Sequence, residues 1–195
     1  IHWYQQGHTS FISWTANRDS KTVTRVIIRA VPERSTDVEY LVKHIPHAEI
    51  CWETYDLAES EDNIWNTFHK ALEMAGDDPC IQMEEDLILT EGFIDKAETV
   101  IAERPHQIIN FFSMRDLDIS RGSRVDRQFM MAQCWYAPKY CCSYLREFYP
   151  YWKHRRLEWP NAVDLMVHDF IHAMRIRYWI HCPSLVQHPD RDSFI

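Results

Sequence analysis

Between Thr22 and Phe112 the chain passes through four short runs of apolar and β-branched residues, and a segment of helical spacing separates each run from the next. The runs are "TVTRVIIRAVP", "AEICW", "PCIQM" and "HQIINFF". Pro32 stops the first of them, because proline cannot donate to a sheet ladder. "STDVEYLVKHIP" follows as a short helix, capped by Ser35 or Thr36 and ended by Pro46. Ser60 caps a second helix whose apolar face is Ile64, Phe68, Ala71, Leu72 and Ala75. Thr90 caps a third, "EGFIDKAETVIAE", which stops before Pro105. Strands alternating with helices predict an α/β fold around a mixed, mostly parallel central sheet flanked by helices.

The second half is less regular. Residues 114–127 are polar and irregular. "QFMMAQCWYAP" predicts another strand, and Pro138 opens a helix to about Phe148. Asn161 caps the cleanest helix, with Val163, Met166, Val167, Phe170, Ile171 and Met174 as its buried stripe. "RYWIHCPSLVQH" ends the pattern as a strand or two. Residues 1–22 read as an extension and 23–195 as one domain, long enough to bury a sizeable core.

Composition narrows the function classes. A chain that is 46% hydrophobic, with 8 Trp, 9 Tyr and 9 Phe, is not disordered. It has four glycines and neither GxGxxG nor GxxxxGK[ST], so a nucleotide would be held without a glycine-rich phosphate loop. A net charge of −8 argues against nucleic-acid binding through bulk charge. Two local basic patches remain, Arg121, Arg124 and Arg127, and Lys153, Arg155 and Arg156; charge runs of this kind are first of all solvated surface. The six cysteines form no C-x-x-C pair and read as buried reduced thiols, which fits an intracellular, cytoplasmic protein (the host cytoplasm for a viral one). No stretch approaches the ~18 apolar residues of a membrane span. The chain has no signal-peptide pattern and starts at Ile1 rather than Met, which leaves room for residues upstream.

One short stretch departs from the apolar pattern. In "QMEEDLIL", residues 82–89, Glu84, Glu85 and Asp86 sit where a buried strand is ending. In open α/β sheets ligands bind outside the carboxyl ends of the strands. Adjacent carboxylates repel one another unless a cation or hydrogen-bond donors neutralise them. Hard oxygen ligands suit Mn²⁺ or Mg²⁺, which would neutralise a departing diphosphate. The plain alternative is a solvated acidic turn.

"QMEEDLIL", followed by a helix at "TEGF", resembles the acidic metal motif of GT-A glycosyltransferases, usually DxD or EDD. The tail "CPSLVQHPDRDS" is similar to the "PSLxQH" ending of several inverting GT-A families, including branching N-acetylglucosaminyltransferases. "RAVPERS" likewise resembles their donor-binding first turn. The resemblance covers about residues 23–195, extends to small bacteriophage-type transferases, and implies a single Rossmann-like domain. It implies Asp86 and His188 as metal ligands, with Glu84 and Glu85 near the ribose or the metal's water shell. EED stands here where the family has EDD.

The resemblance also implies a general base near the start of a late helix. Asp164 in "NAVDLMVHDF" matches best, with Asp169 in reserve; Val163 precedes Asp164 where the family has an acid. An acid in a helix's first turn otherwise simply complements the helix dipole. Asp164, His168 and His172 share one helix face by their spacing of four, which raises zinc as a minor alternative, although HExxH is absent. Ala30, Val31, Pro32, Glu33 and Arg34 are placed to contact the donor base and ribose, Arg34 could pair with the diphosphate, and Trp52 could stack on the base. "SMRDLDISRGSRVDRQF" has the length of a substrate-covering loop.

The implied activity is metal-dependent transfer of a sugar from a nucleoside-diphosphate sugar, with uridine diphosphate the commonest carrier in such folds, to a hydroxyl acceptor. The acceptor suggested by the phage-type resemblance is a hydroxymethylated base in DNA, which must be flipped out to be reached; a glycan or protein is the alternative. Two readings from other classes stand beside it. The same acids could serve a metal-dependent nuclease or phosphoesterase, although such sites gather carboxylates from several strands around two metals. The fold could also be a non-catalytic binding module.

Overall fold

The strand "RVIIRA" alternates its side chains between two cores, and that alternation organises the molecule. The computed structural model describes residues 23–53, 63–127, 129–155 and 163–189. In β1 (Arg25–Ala30), Ile27 points into one apolar cluster while Val26 and Ile28 point into the other. A sheet covered on both faces needs near-continuous apolar strands, as seen here.

Helix α1 (Ser35–His44) and β2 (Glu49–Trp52) follow β1, then α2 (Asn63–Ala75), β3 (Cys80–Glu84) and β4 (Ile88–Leu89). After α3 (Phe93–Glu103) come β5 (Ile109–Asn110), α4 (Asp116–Arg121), β6 (Arg124–Asp126) and β7 (Cys134–Ala137). Helices α5 (Cys141–Arg155) and α6 (Val163–Ala173), then β8 (Tyr178–Ile180) and β9 (Val186–Gln187), complete the order. The main sheet has seven strands in the order β2-β1-β3-β7-β5-β8-β6. The pairs β1–β2, β1–β3 and β5–β8 are parallel, whereas β7 and β6 run against their neighbours. The fold is therefore α/β with a mixed sheet in which most strands share one direction.

Helices α2, α5 and α6 cover one face, where Trp65, Phe68, Leu72, Leu145, Met166 and Phe170 meet Trp135 and Tyr178. On the other face, Leu41 of α1 with Phe93 and Ala97 of α3 pack on Ile28, Ile81 and Ile109. Each large apolar side chain so buried stabilises the fold by about 1.5–3 kcal/mol relative to exposure.

Chain order reverses around β1: β2 lies on one side of it and β3 on the other. A crevice at such a reversal opens at the carboxyl ends of the strands. Those ends here are Ala30, Trp52 and Glu84. A separate two-stranded ladder pairs Ile88 with Gln187 and Leu89 with Val186, antiparallel. It draws the tail back across the same edge.

Several expectations are corrected. Arg34, not Ser35 or Thr36, is the N-cap of α1, because a 3₁₀ turn at Pro32–Arg34 runs straight into the helix. Gly92, in the left-handed region at φ 66°, caps α3 instead of Thr90, a backbone conformation that glycine adopts without a Cβ clash. Pro138 precedes a turn, and α5 starts only at Cys141 and continues past Phe148 through an exposed Pro150. Met174 lies beyond the end of α6 and is 55% exposed. Residues 114–127 are not irregular: they hold α4 and β6, organised by a buried Asp118. The caps assigned to Ser60 and Asn161 lie outside the described residues. The six cysteines are all free thiols, five of them buried.

Candidate metal centre

Asp86 is 5% exposed, and its two oxygens differ. Oδ2 lies 3.0 Å from His188 Nε2 and also accepts from Arg34 Nη1, whereas Oδ1 is buried with no hydrogen-bond partner. A buried carboxylate oxygen without a donor is costly unless something else satisfies it. Glu84, two residues earlier and the last of β3, completes a cluster in which Glu84, Asp86 and His188 each offer one ligand atom within 4.8 Å of the other two. It is the one such cluster among the described residues. The register of β4 against β9 explains how His188 arrives. Gln187 faces Ile88, so the next residue of the tail overhangs the acid run.

Two carboxylates and one imidazole fit a divalent ion of the Mn²⁺ or Mg²⁺ kind, and the imidazole nitrogen favours Mn²⁺ over the harder Mg²⁺. The unpartnered Asp86 Oδ1 supports that fit. Burial pushes the Glu84 carboxyl up to about 7; Arg29 opposes the shift, and Asp164, Asp86 and Glu85 add to it. A bound divalent ion would reverse the local balance in favour of the charged form.

Two arginines meet the acids. Arg29, buried in β1, donates from Nη2 to Glu84 Oε1 at 3.2 Å and to the Ala132 carbonyl at 3.0 Å. Its guanidinium also lies 5.0 Å above the Phe68 ring. Arg34 reaches Glu85 Oε1 at 3.4 Å as well as Asp86. Burial raises Glu85, countered by its own backbone N–H and by Arg34 and Arg29.

Asp164 comes to the same edge on the first turn of α6. Its Oδ1 accepts from the Ala132 N–H at 2.7 Å and its Oδ2 from Gln133 Nε2 at 3.2 Å. Ala132 thus links Asp164 to Arg29, and Arg29 to Glu84. Burial holds the Asp164 carboxyl above its ordinary range, although the Ala132 and Gln133 donors and Arg29 pull it back. A raised carboxylate is a better proton acceptor near neutrality. Asp169 instead accepts from Trp152 Nε1 at 3.1 Å, on the α5 side.

The remaining expectations divide. Trp52 stands at the end of β2, 37% exposed, open to a planar ligand. Val31, Pro32 and Glu33 lie in the turn after β1, with Pro32 and Glu33 exposed. Ala30 is corrected: it is buried, and its carbonyl accepts from the Glu53 N–H at 2.8 Å. Arg34 is in the predicted turn but engaged with acids. Glu84 belongs to the candidate ligand set itself, while Glu85 turns to Arg34. Zinc on α6 is corrected too, because among the described residues only Glu84, Asp86 and His188 bring their ligand atoms together, and Asp164, His168 and His172 do not. The His168 and His172 ring centroids lie 4.3 Å apart with the planes tilted by 58°, and His172 Nε2 meets the Arg127 carbonyl at 3.0 Å.

Of the first basic patch, Arg121 and Arg127 are exposed, but Arg124 is committed to Asp118 and Asp126. The second patch lies outside the described side chains. The expected covering loop is a packed segment: Asp118 accepts from Ser113, Arg115 and Arg124. Arg29 and Gln133 were missed by sequence reasoning. A lone arginine inside an otherwise apolar strand was the available signal for Arg29; Gln133 offered none.

The chain matches no model of a known protein family and no curated protein sequence. Among the described residues no helix is long and apolar enough to cross a membrane.

Proposed function

We propose that the chain is a metal-dependent glycosyltransferase of GT-A type that moves a sugar from a nucleoside-diphosphate sugar to a hydroxyl acceptor. The observation that carries this reading is the convergence of Glu84, Asp86 and His188 at the carboxyl edge of β3, with Asp164 linked to them through Ala132 and Arg29. Glu84, Asp86 and His188 would hold a Mn²⁺ or Mg²⁺ ion, which supplies charge stabilisation to the diphosphate leaving group. The exposed turn at Pro32 and Glu33 after β1 and the exposed face of Trp52 at the end of β2 stand on one side of β3 and suit a nucleoside. Asp164 receives the acceptor proton at a carboxylate oxygen as the hydroxyl attacks the anomeric carbon. The bond from that carbon to the diphosphate oxygen breaks, and the diphosphate leaves with the electron pair. A hydroxyl on a modified DNA base is one acceptor for this reading; the exposed Arg121 and Arg127 are the support for it among the described residues.

The test is incubation with Mn²⁺ and a panel of uridine and guanosine diphosphate sugars, together with DNA, glycan and protein acceptors. Sugar-dependent release of nucleoside diphosphate supports the proposal. Release of nucleotides from DNA without a sugar donor would replace it with a phosphodiesterase. Neither release, with no thermal stabilisation by any donor plus Mn²⁺, would remove the catalytic reading.

A further inference from the structure

Four carboxylates gather at this edge, Glu84, Glu85, Asp86 and Asp164, and the two guanidinium groups that answer them are held very differently. Arg29 lies within a strand, fixed by Glu84, the Ala132 carbonyl and the Phe68 ring. Arg34 ends a three-residue 3₁₀ turn, and its side chain reaches in to Glu85 and Asp86 from a segment whose neighbours Glu33 and Ser35 are exposed. Arg34 shares the Asp86 Oδ2 atom with His188, so it occupies an oxygen of the candidate metal cluster itself. A divalent ion there would set two charges of the same sign side by side, and they repel most strongly where solvent is scarce.

We infer that Arg34 is a built-in counter-cation: it neutralises Glu85 and Asp86 in the metal-free protein and is displaced when a divalent ion binds. The inference rests on the metal reading of Glu84, Asp86 and His188. Arg34 therefore lowers the affinity for a bare ion while keeping the acid cluster folded without one. Removal of its charge exposes the full attraction of the acids for metal.

Calorimetric titration with Mn²⁺ alone tests this on the wild-type chain and on Arg34→Gln, Arg34→Lys and Asp86→Asn. Arg34→Gln is expected to bind Mn²⁺ about tenfold or more tightly than wild type, a gap of roughly 1.4 kcal/mol. Arg34→Lys, which keeps the charge, is expected to stay nearer wild type. Equal or weaker binding by Arg34→Gln overturns the inference. If wild type binds Mn²⁺ and Asp86→Asn does not, the metal reading survives that result and only the role of Arg34 falls. If neither wild type nor Arg34→Gln binds Mn²⁺, both fall. A second measurement needs no folded Arg34→Gln: the wild-type Arg34 side-chain ¹⁵Nε resonance, assigned by its loss in Arg34→Lys, should move on Mg²⁺ titration. A resonance unmoved at Mg²⁺ concentrations that displace Mn²⁺ overturns the inference.

Discussion

Arg29 and Glu84 are register partners across the parallel β1–β3 pair, and the ion pair between them joins the sheet to the candidate metal cluster. Strand pairing alone makes them neighbours, so the acid nearest the sheet has a fixed counter-charge wherever the rest of the site moves. Arg29→Met should cost about 1–3 kcal/mol, because it removes the donor of the Ala132 carbonyl while Glu84, already raised, takes up a proton instead of standing as a bare charge. Urea unfolding at neutral pH measures it. A loss under about 1 kcal/mol, as for exposed pairs, would show that Glu84 finds enough water to stand alone.

Asp86 and Asp164 should separate binding from chemistry. Asp86→Ala is expected to abolish Mn²⁺-dependent stabilisation by a nucleotide sugar in a thermal-shift assay. Asp164→Asn keeps an oxygen for the Ala132 N–H, so donor binding should persist while turnover drops about 10²–10⁴-fold, the usual worth of a general base. Unchanged turnover in Asp164→Asn would remove the base assignment.

His188 owes its position to two pairs of residues in the β4–β9 ladder rather than to a long element. His188→Ala should weaken Mn²⁺ binding by on the order of 10–100-fold or more, since even outer-shell partners of metal ligands are worth that much. The fold should be unaffected, because Val186 supplies the buried anchor of the tail. Calorimetry and unfolding on the same sample separate the two effects.

Asp118 carries a pH signature. Burial alone would raise its carboxyl, but donors from Ser113, Arg124 and Arg115 outweigh that and hold it below its ordinary range. An acid depressed in the fold contributes stability above its unfolded value, about pH 4, and loses it as pH falls through the lower folded value. Asp118→Asn should therefore flatten the acid limb of the stability–pH curve. At neutral pH it should cost about 3 kcal/mol, the low end for buried pairs, because Arg115 and Arg124 keep contact with solvent. An acid limb as steep as wild type would contradict the assignment.

Much of this protein was legible in its sequence. Strands at "RVIIRA" and "CIQME" and the apolar faces of α2 and α6 follow from period and β-branching, which are local properties. The acid run could be placed at a strand's carboxyl end for the same reason, whereas His188 stood out only through the resemblance of its tail to the GT-A ending. What was not legible is short or long-range. Helix α4 and strand β6 have six and three residues, too few to show a period, and they are held by Asp118 ion pairs. The start of α1 was misread because Pro32 begins a 3₁₀ turn that runs into it without a side-chain cap.

The sequence by itself determined the longer strands and helices and where the negative charge would emerge. Only the tertiary structure decided that β7 enters antiparallel between β3 and β5, which sets Ala132 and Gln133 against Asp164. It also decided that Glu84 joins the ligand cluster while Arg34 turns inward to the acids. The physical reason is one of range. Periodicity is written over a few residues, whereas the partner of a buried charge is chosen by whichever strand lies alongside, often a hundred residues away.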